Sequence, residues 1–137
     1  RDIELGRAEI LREGKHAAVL AVGEMVMASL QAAALLADDG MQVSVINMRF
    51  VIPLDTDVLD RIAASGKPVI TVEENVLAGG FGSAVAEYYV SRGKPPQITM
   101  VGIPNEFSHH ASRARLLERY GLDARSIAET VRKAVRQ

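Results

Sequence analysis

The sequence predicts an α/β fold: three layers, α/β/α, around a mostly parallel sheet of about five strands, one of them an antiparallel edge strand. Three observations lead there. From residue 16 onward, short β-rich apolar runs alternate with helical stretches, the order that builds βα units. Gly and Pro mark nearly every change of period. The first 15 residues stand outside the alternation, and Ile3, Leu5, Ala8, Ile10 and Leu11 among them suit an extra strand at an edge.

Residues 16–22 (HAAVLAV) form a short apolar run ending at Gly23, which predicts a buried strand beginning at His16. Residues 24–38 are rich in Ala, Leu and Met, the better helix formers, and Gly40 stops them. Residues 41–48 alternate Met41, Val43 and Val45 with polar Gln42 and Ser44, a strand pattern. Pro53 breaks it. Asp55 is placed to cap a helix in which Val58, Leu59, Ile62 and Ala63 share a face, and Gly66 ends that helix. Residues 68–72 (PVITV) predict the next strand, followed by a loop over residues 74–81. Gly82 and Ser83 open a helix that runs to about Arg92 and closes at Gly93. Pro95 and Pro96 lead stiffly into a strand over residues 97–101. A loop with Pro104, His109 and His110 follows. Ser112 caps a short helix with Ala114, Leu117 and Tyr120 on one face, stopped by Gly121. The last helix, residues 124–135, sets Ile127, Val131 and Val135 at i, i+4, i+8. Crossovers between parallel strands are expected to be right-handed.

The 137 residues suit one domain, and 48% hydrophobic with 24% charged residues is ordinary for a folded chain. The formal net charge of -1 excludes a strongly basic nucleic-acid-binding domain. Trp is absent and only 4% of residues are aromatic, so base stacking is poorly supplied. With no Cys, disulfides, thiolate nucleophiles and cysteine zinc sites are impossible here. No apolar run is long enough to predict a transmembrane helix. The opening Arg1-Asp2-Ile3-Glu4-Leu5 has neither a signal-peptide core nor an initiator Met; a processed protein or, by preference, a piece cut from a longer chain is expected, in the cytoplasm. Charge is uneven: residues 1–112 carry a net of -5 and residues 113–137 a net of +4. That C-terminal excess reads as a solvated helical face, or else as a docking surface for an acidic partner.

The candidate residues gather at the carboxyl edge of the sheet, where ligands of open α/β sheets collect. Gly79, Gly80, Gly82 and Ser83 surround a helix start whose free amides suit an anion. No Lys follows the glycines, so this is no P-loop, and the spacing is not that of a dinucleotide fingerprint. Close packing of the helix N-terminus against another surface is the preferred reading. Glu73, Glu74 and Asn75 end a strand, and neighbours in a strand point to opposite faces, which argues against a carboxylate dyad. One carboxylate is expected to accept from loop amides or an Arg. Arg49, ending another strand, is expected to pair with Glu73 or Glu74. His109 and His110 have no third convergent ligand and read as exposed loop residues. No Ser-His-Asp arrangement can be assembled. The edge is therefore read as a contact surface without catalytic groups.

Three segments carry a family resemblance. Residues 47–55 (NMRFVIPLD) resemble the pattern D-M-R-F-V-x-P-L-D. Residues 71–75 (TVEEN), leading into Gly79-Gly80-Phe81-Gly82-Ser83, are similar to T-V-E-E-N followed by G-G-x-G-S. Residues 102–104 (GIP) through Gly121-Leu122-Asp123 resemble G-I-P-D-x-F-x-x-H-G, a helix and G-L-D. In this order they resemble the C-terminal domain of the 1-deoxy-D-xylulose-5-phosphate synthases, transketolase-like thiamine-diphosphate enzymes. Residues 3–8 are similar to the segment leading into that domain. Asn47, Asn105 and Ala111 depart from the usual Asp, Asp and Gly.

The resemblance implies a parent transferase that joins pyruvate and D-glyceraldehyde 3-phosphate, with loss of carbon dioxide, into 1-deoxy-D-xylulose 5-phosphate. That product feeds isoprenoid, thiamine and pyridoxal phosphate synthesis. Thiamine diphosphate and magnesium are implied for the parent, held by two preceding domains. No catalytic, cofactor-binding or metal-binding residue carries over to this chain. Its implied role is assembly: packing on the preceding domains and supporting a homodimer through Arg49, Glu73, Glu74, Asn75 and the Gly79–Ser83 turn. Neither nucleic acid nor membrane is implied as a partner. Two alternatives remain open: the C-terminal part of a 2-oxo-acid dehydrogenase beta subunit, and a stand-alone anion- or nucleotide-binding regulatory module.

Overall fold

The computed structural model describes residues 4–76, 80–93, 95–103 and 112–137. Five strands form one sheet: β1 (Glu9–Lys15), β2 (Ala17–Ala21), β3 (Val43–Asn47), β4 (Val69–Val76) and β5 (Ile98–Ile103). The helices are α1 (Met25–Asp38), α2 (Thr56–Ser65), α3 (Phe81–Ser91), α4 (Arg113–Arg119) and α5 (Ala124–Arg136). The strand order is β1-β3-β2-β4-β5. β1 pairs antiparallel with β3, and the other three pairings are parallel. The expected mixed sheet with an antiparallel edge strand is thus the observed one.

The alternation of side chains along each strand divides the core. Ala17, Val19 and Ala21 of β2, Val43 and Val45 of β3, and Ile70 and Val72 of β4 face α1 and α5, where Ala32, Ala33, Leu36, Ile127, Ala128 and Val131 meet them. Ala18, Leu20, Ile46 and Val69 face the other way, onto Val58, Leu59 and Ile62 of α2 and Phe81, Val85 and Tyr89 of α3. Central strands covered on both faces must be apolar throughout, and all five residues of β2 are buried. The Tyr89 hydroxyl donates to the Leu59 carbonyl at 2.8 Å, which satisfies the polar end of a buried ring and ties α3 to α2.

The capping signals act as read. Asp55 accepts from Val58 N at 3.1 Å and Ser112 from Arg115 N at 3.2 Å. Gly66 closes α2 in the left-handed conformation at φ 76, which costs glycine no Cβ clash. The excess of cations near the C-terminus is partly used within the fold: Arg132 on α5 pairs with Asp39 at 2.5 Å and with Glu129 at 3.3 Å.

Several elements differ from the sequence reading. The edge strand begins at Glu9, after Leu5, which is exposed; Ile3 lies outside the described residues. β1 carries charged residues and two register irregularities, features that keep a free sheet edge from recruiting another strand. His16 falls between β1 and β2, its Nδ1 accepting from Gln42 N at 2.9 Å. β4 continues to Val76, four residues past its expected end, because Val76 still pairs with Ile103 on a lengthened β5. On α4, Leu117 and Tyr120 pack on the core while Ala114 is exposed.

Candidate functional site

The carboxyl edge of the sheet is built around one buried carboxylate. Strand alternation puts Thr71 and Glu73 on the α2/α3 face, beneath the start of α3. Glu73 is 0% exposed. Its Oε1 accepts from Phe81 N at 2.8 Å and its Oε2 from Gly82 N at 2.6 Å. Helix starts leave amides without intrahelical partners, and Gly80 at the cap position has no side chain to supply one. Glu73 supplies the acceptor from a neighbouring strand. Burial raises its pKa above the ordinary value, and the two amide bonds from Gly82 and Phe81 oppose that rise.

Gly82 is required by this approach. A Cβ there would stand 2.7 Å from Thr71 Oγ1, 3.0 Å from Glu73 Oε2 and 3.1 Å from Met100 Cγ. Gly82 therefore serves close packing of the helix start on the sheet. Thr71 Oγ1 itself is buried with no hydrogen-bond partner among the described residues.

Arg49 lies elsewhere than expected. Its guanidinium pairs with Glu9 of β1 at 3.0 Å, both side chains mostly buried, rather than with Glu73 or Glu74. The reason is strand order: β3 lies between β1 and β2, so the end of β3 neighbours the start of antiparallel β1 and is separated from β4 by β2. Arg49 adopts φ 59, the left-handed region, with its own N–H donating to Asn47 Oδ1 at 3.0 Å. The sequence reading missed Glu9 as its partner and Thr71 as a neighbour of Gly82. The i, i+2 spacing of Thr71 and Glu73 was the available signal for the second.

Glu74 is half-buried on β4, Asn75 follows it in the strand, and Ser83 is half-buried in the first turn of α3. Gly79, His109 and His110 lie outside the described residues. Glu73 and Glu74 take opposite faces, so they form no dyad. Thiamine diphosphate, which the family resemblance implies for a parent enzyme, does not fit here. The α3 amides that would greet a diphosphate are engaged by the protein's own carboxylate. Among the described residues, no cluster of three or more His, Cys, Asp or Glu could hold a metal ion. Nor, among them, is any helix long and apolar enough to cross a membrane.

Known proteins resemble this chain in sequence and in fold. A 1-deoxy-D-xylulose-5-phosphate synthase of Pelotomaculum thermopropionicum is 48% identical over 130 residues, covering 94% of this chain and 20% of the relative. Another, of Chlorobium luteolum, is 42% identical over 134 residues, covering 98% of this chain and 21% of the relative. The chain thus spans about a fifth of the length of these curated relatives. A solved structure titled "Split gene transketolase, inactive beta4 tetramer" superposes with a TM-score of 0.89 at 36% identity, covering 98% of this chain and 44% of that one. The profile of "Transketolase, C-terminal domain" matches residues 6–127, which takes in every strand, the first four helices and the Glu73–α3 cap. On that match, the chain belongs to the family of transketolase C-terminal domains.

Proposed function

We propose that this chain is the C-terminal assembly domain of a 1-deoxy-D-xylulose-5-phosphate synthase. The observation that carries the reading is identity of 42–48% to such synthases along 94–98% of the chain. The geometry supports the assembly role. The helix start that could bind an anion is closed by Glu73, and the carboxylates of the edge are divided between two faces of the sheet. The parent would condense pyruvate with D-glyceraldehyde 3-phosphate, releasing carbon dioxide, and supply precursors for isoprenoids, thiamine and pyridoxal phosphate. Thiamine diphosphate and magnesium would be held by preceding domains of the same chain, within a cytoplasmic homodimer. This domain would hold those domains in place while supplying no group to the chemistry.

The test is an assay of the full-length gene product with pyruvate, D-glyceraldehyde 3-phosphate, thiamine diphosphate and magnesium. Formation of 1-deoxy-D-xylulose 5-phosphate with carbon dioxide is the expected result. Acetyl transfer to a lipoyl acceptor instead would move the chain to a 2-oxo-acid dehydrogenase. Turnover by residues 1–137 alone would overturn the assembly role.

A further inference from the structure

We propose that residues 49–53, with Ile52 at their tip, form the seat on which the preceding domain of the same chain docks. The inference rests on the reading above that the chain is one domain of a longer enzyme.

Ile52 is 89% exposed, the highest value among the large apolar side chains described. Leu5 follows at 74%. The two flank a single contact, because Gly6 lies against Pro53, where a Cβ would come within 3.0 Å of Pro53 Cγ. A lone exposed apolar residue is common on protein surfaces. Here it sits on a loop held under strain. Met48 is fully buried and donates its N–H to the Ala21 carbonyl at 2.9 Å. Arg49 occupies the left-handed region, secured by Asn47 on one side and Glu9 on the other. Phe50 N closes a tight turn onto the Met48 carbonyl. A non-glycine residue held in a costly conformation beside an uncovered isoleucine marks a segment shaped for contact.

The path of the chain names the occupant. Ala8 N donates to Asp55 Oδ2 at 2.8 Å and Arg7 pairs with Asp57 at 2.9 Å, which lays residues 6–8 along the start of α2. The chain thus enters the fold where Gly6 lies against Pro53, the residue that follows Ile52. The chain matches a C-terminal domain and covers only 20–21% of its curated relatives, so most of such a protein lies on that side. A domain delivered there by its own linker meets this apolar tip at high effective concentration.

The experiment compares single-cysteine variants Ile52→Cys and Val90→Cys of the full-length protein, its other cysteines replaced by Ser, under maleimide labelling. Val90 is 65% exposed near the C-terminal end of α3, toward the opposite edge of the sheet. Ile52→Cys is expected to label about tenfold or more slower than Val90→Cys in the native protein, and equally fast in urea. The protection should not change with protein concentration. Equal native rates would overturn the proposal. Protection lost on dilution would assign the seat to a second copy and overturn it too. Synthase activity, read on the same samples, separates the two claims. Protection without activity would sink the synthase reading alone, and activity with fast labelling would sink the docking seat alone.

Discussion

Glu73 and Gly82 determine one another. The Glu73 carboxylate accepts the Gly82 N–H at 2.6 Å, and the Cβ that Gly82 lacks would stand 3.0 Å from that same oxygen. A strand and the helix after it are joined at the one position where a side chain would push them apart. The consequences below follow from that joint and from its neighbours.

Gly82→Ala is expected to destabilise the fold by about 1–3 kcal/mol, since Thr71 and Met100 also crowd the position and a packed core yields little. Urea titration followed by circular dichroism measures this. An unchanged midpoint would mean that α3 can slide outward without loss.

Substitutions at Glu73 should rank. Glu73→Ala strands the Phe81 and Gly82 amides in a buried place, a loss of about 2–4 kcal/mol. Glu73→Gln keeps an acceptor oxygen for one of them and should cost distinctly less. Equal losses would show that side-chain volume, not the cap, holds the joint.

The same carboxyl sets a pH dependence. Its folded pKa is raised above the ordinary 4.5, chiefly by burial. Between that value and the folded pKa, the folded state binds more protons than the unfolded one, so stability falls as pH rises. The contribution is fully present below 4.5 and is lost as pH passes through the folded pKa. Unfolding free energies of the wild type and Glu73→Gln, measured across a pH series, should therefore diverge in one direction. The wild type loses stability relative to the variant as pH climbs from 4.5. Divergence of opposite sign would mean that the amide bonds outweigh burial.

The Arg49–Glu9 pair joins the end of β3 to the edge strand. Its side chains are 16% and 22% exposed, so solvent screens it only in part. A double-mutant cycle of Arg49→Ala and Glu9→Ala should give a coupling of about 0.5–1.5 kcal/mol. A coupling near zero would leave the left-handed backbone at Arg49 held by Asn47 alone.

Much of the fold was legible because its signals are local. Asp55 announces α2 by preceding Val58, Leu59 and Ile62 at helical spacing, and its oxygen caps Val58 N as that pattern requires. Ser112 does the same for α4. β4 was read too short because Glu73, Glu74 and Asn75 are poor strand formers. They stay in the strand because the Val76–Ile103 pairing and the α3 amides lie across the fold. β1 escapes an apolar pattern because it carries charges at a sheet edge.

The sequence by itself determined the succession of strands and helices along the chain, the mostly parallel sheet with its antiparallel edge, the absence of cysteine chemistry and the family resemblance. Each of these depends on residue type and on spacings of a few residues. Tertiary structure alone decided the partners. It gave Glu73 to the start of α3, Arg49 to Glu9 and the second carboxylate oxygen of Asp55 to Ala8. The order β1-β3-β2-β4-β5 sets Arg49 beside the edge strand and separates it from Glu73 by the whole of β2. A charge pairs with what the topology brings near, and that neighbour is fixed by strand order, which no local pattern encodes.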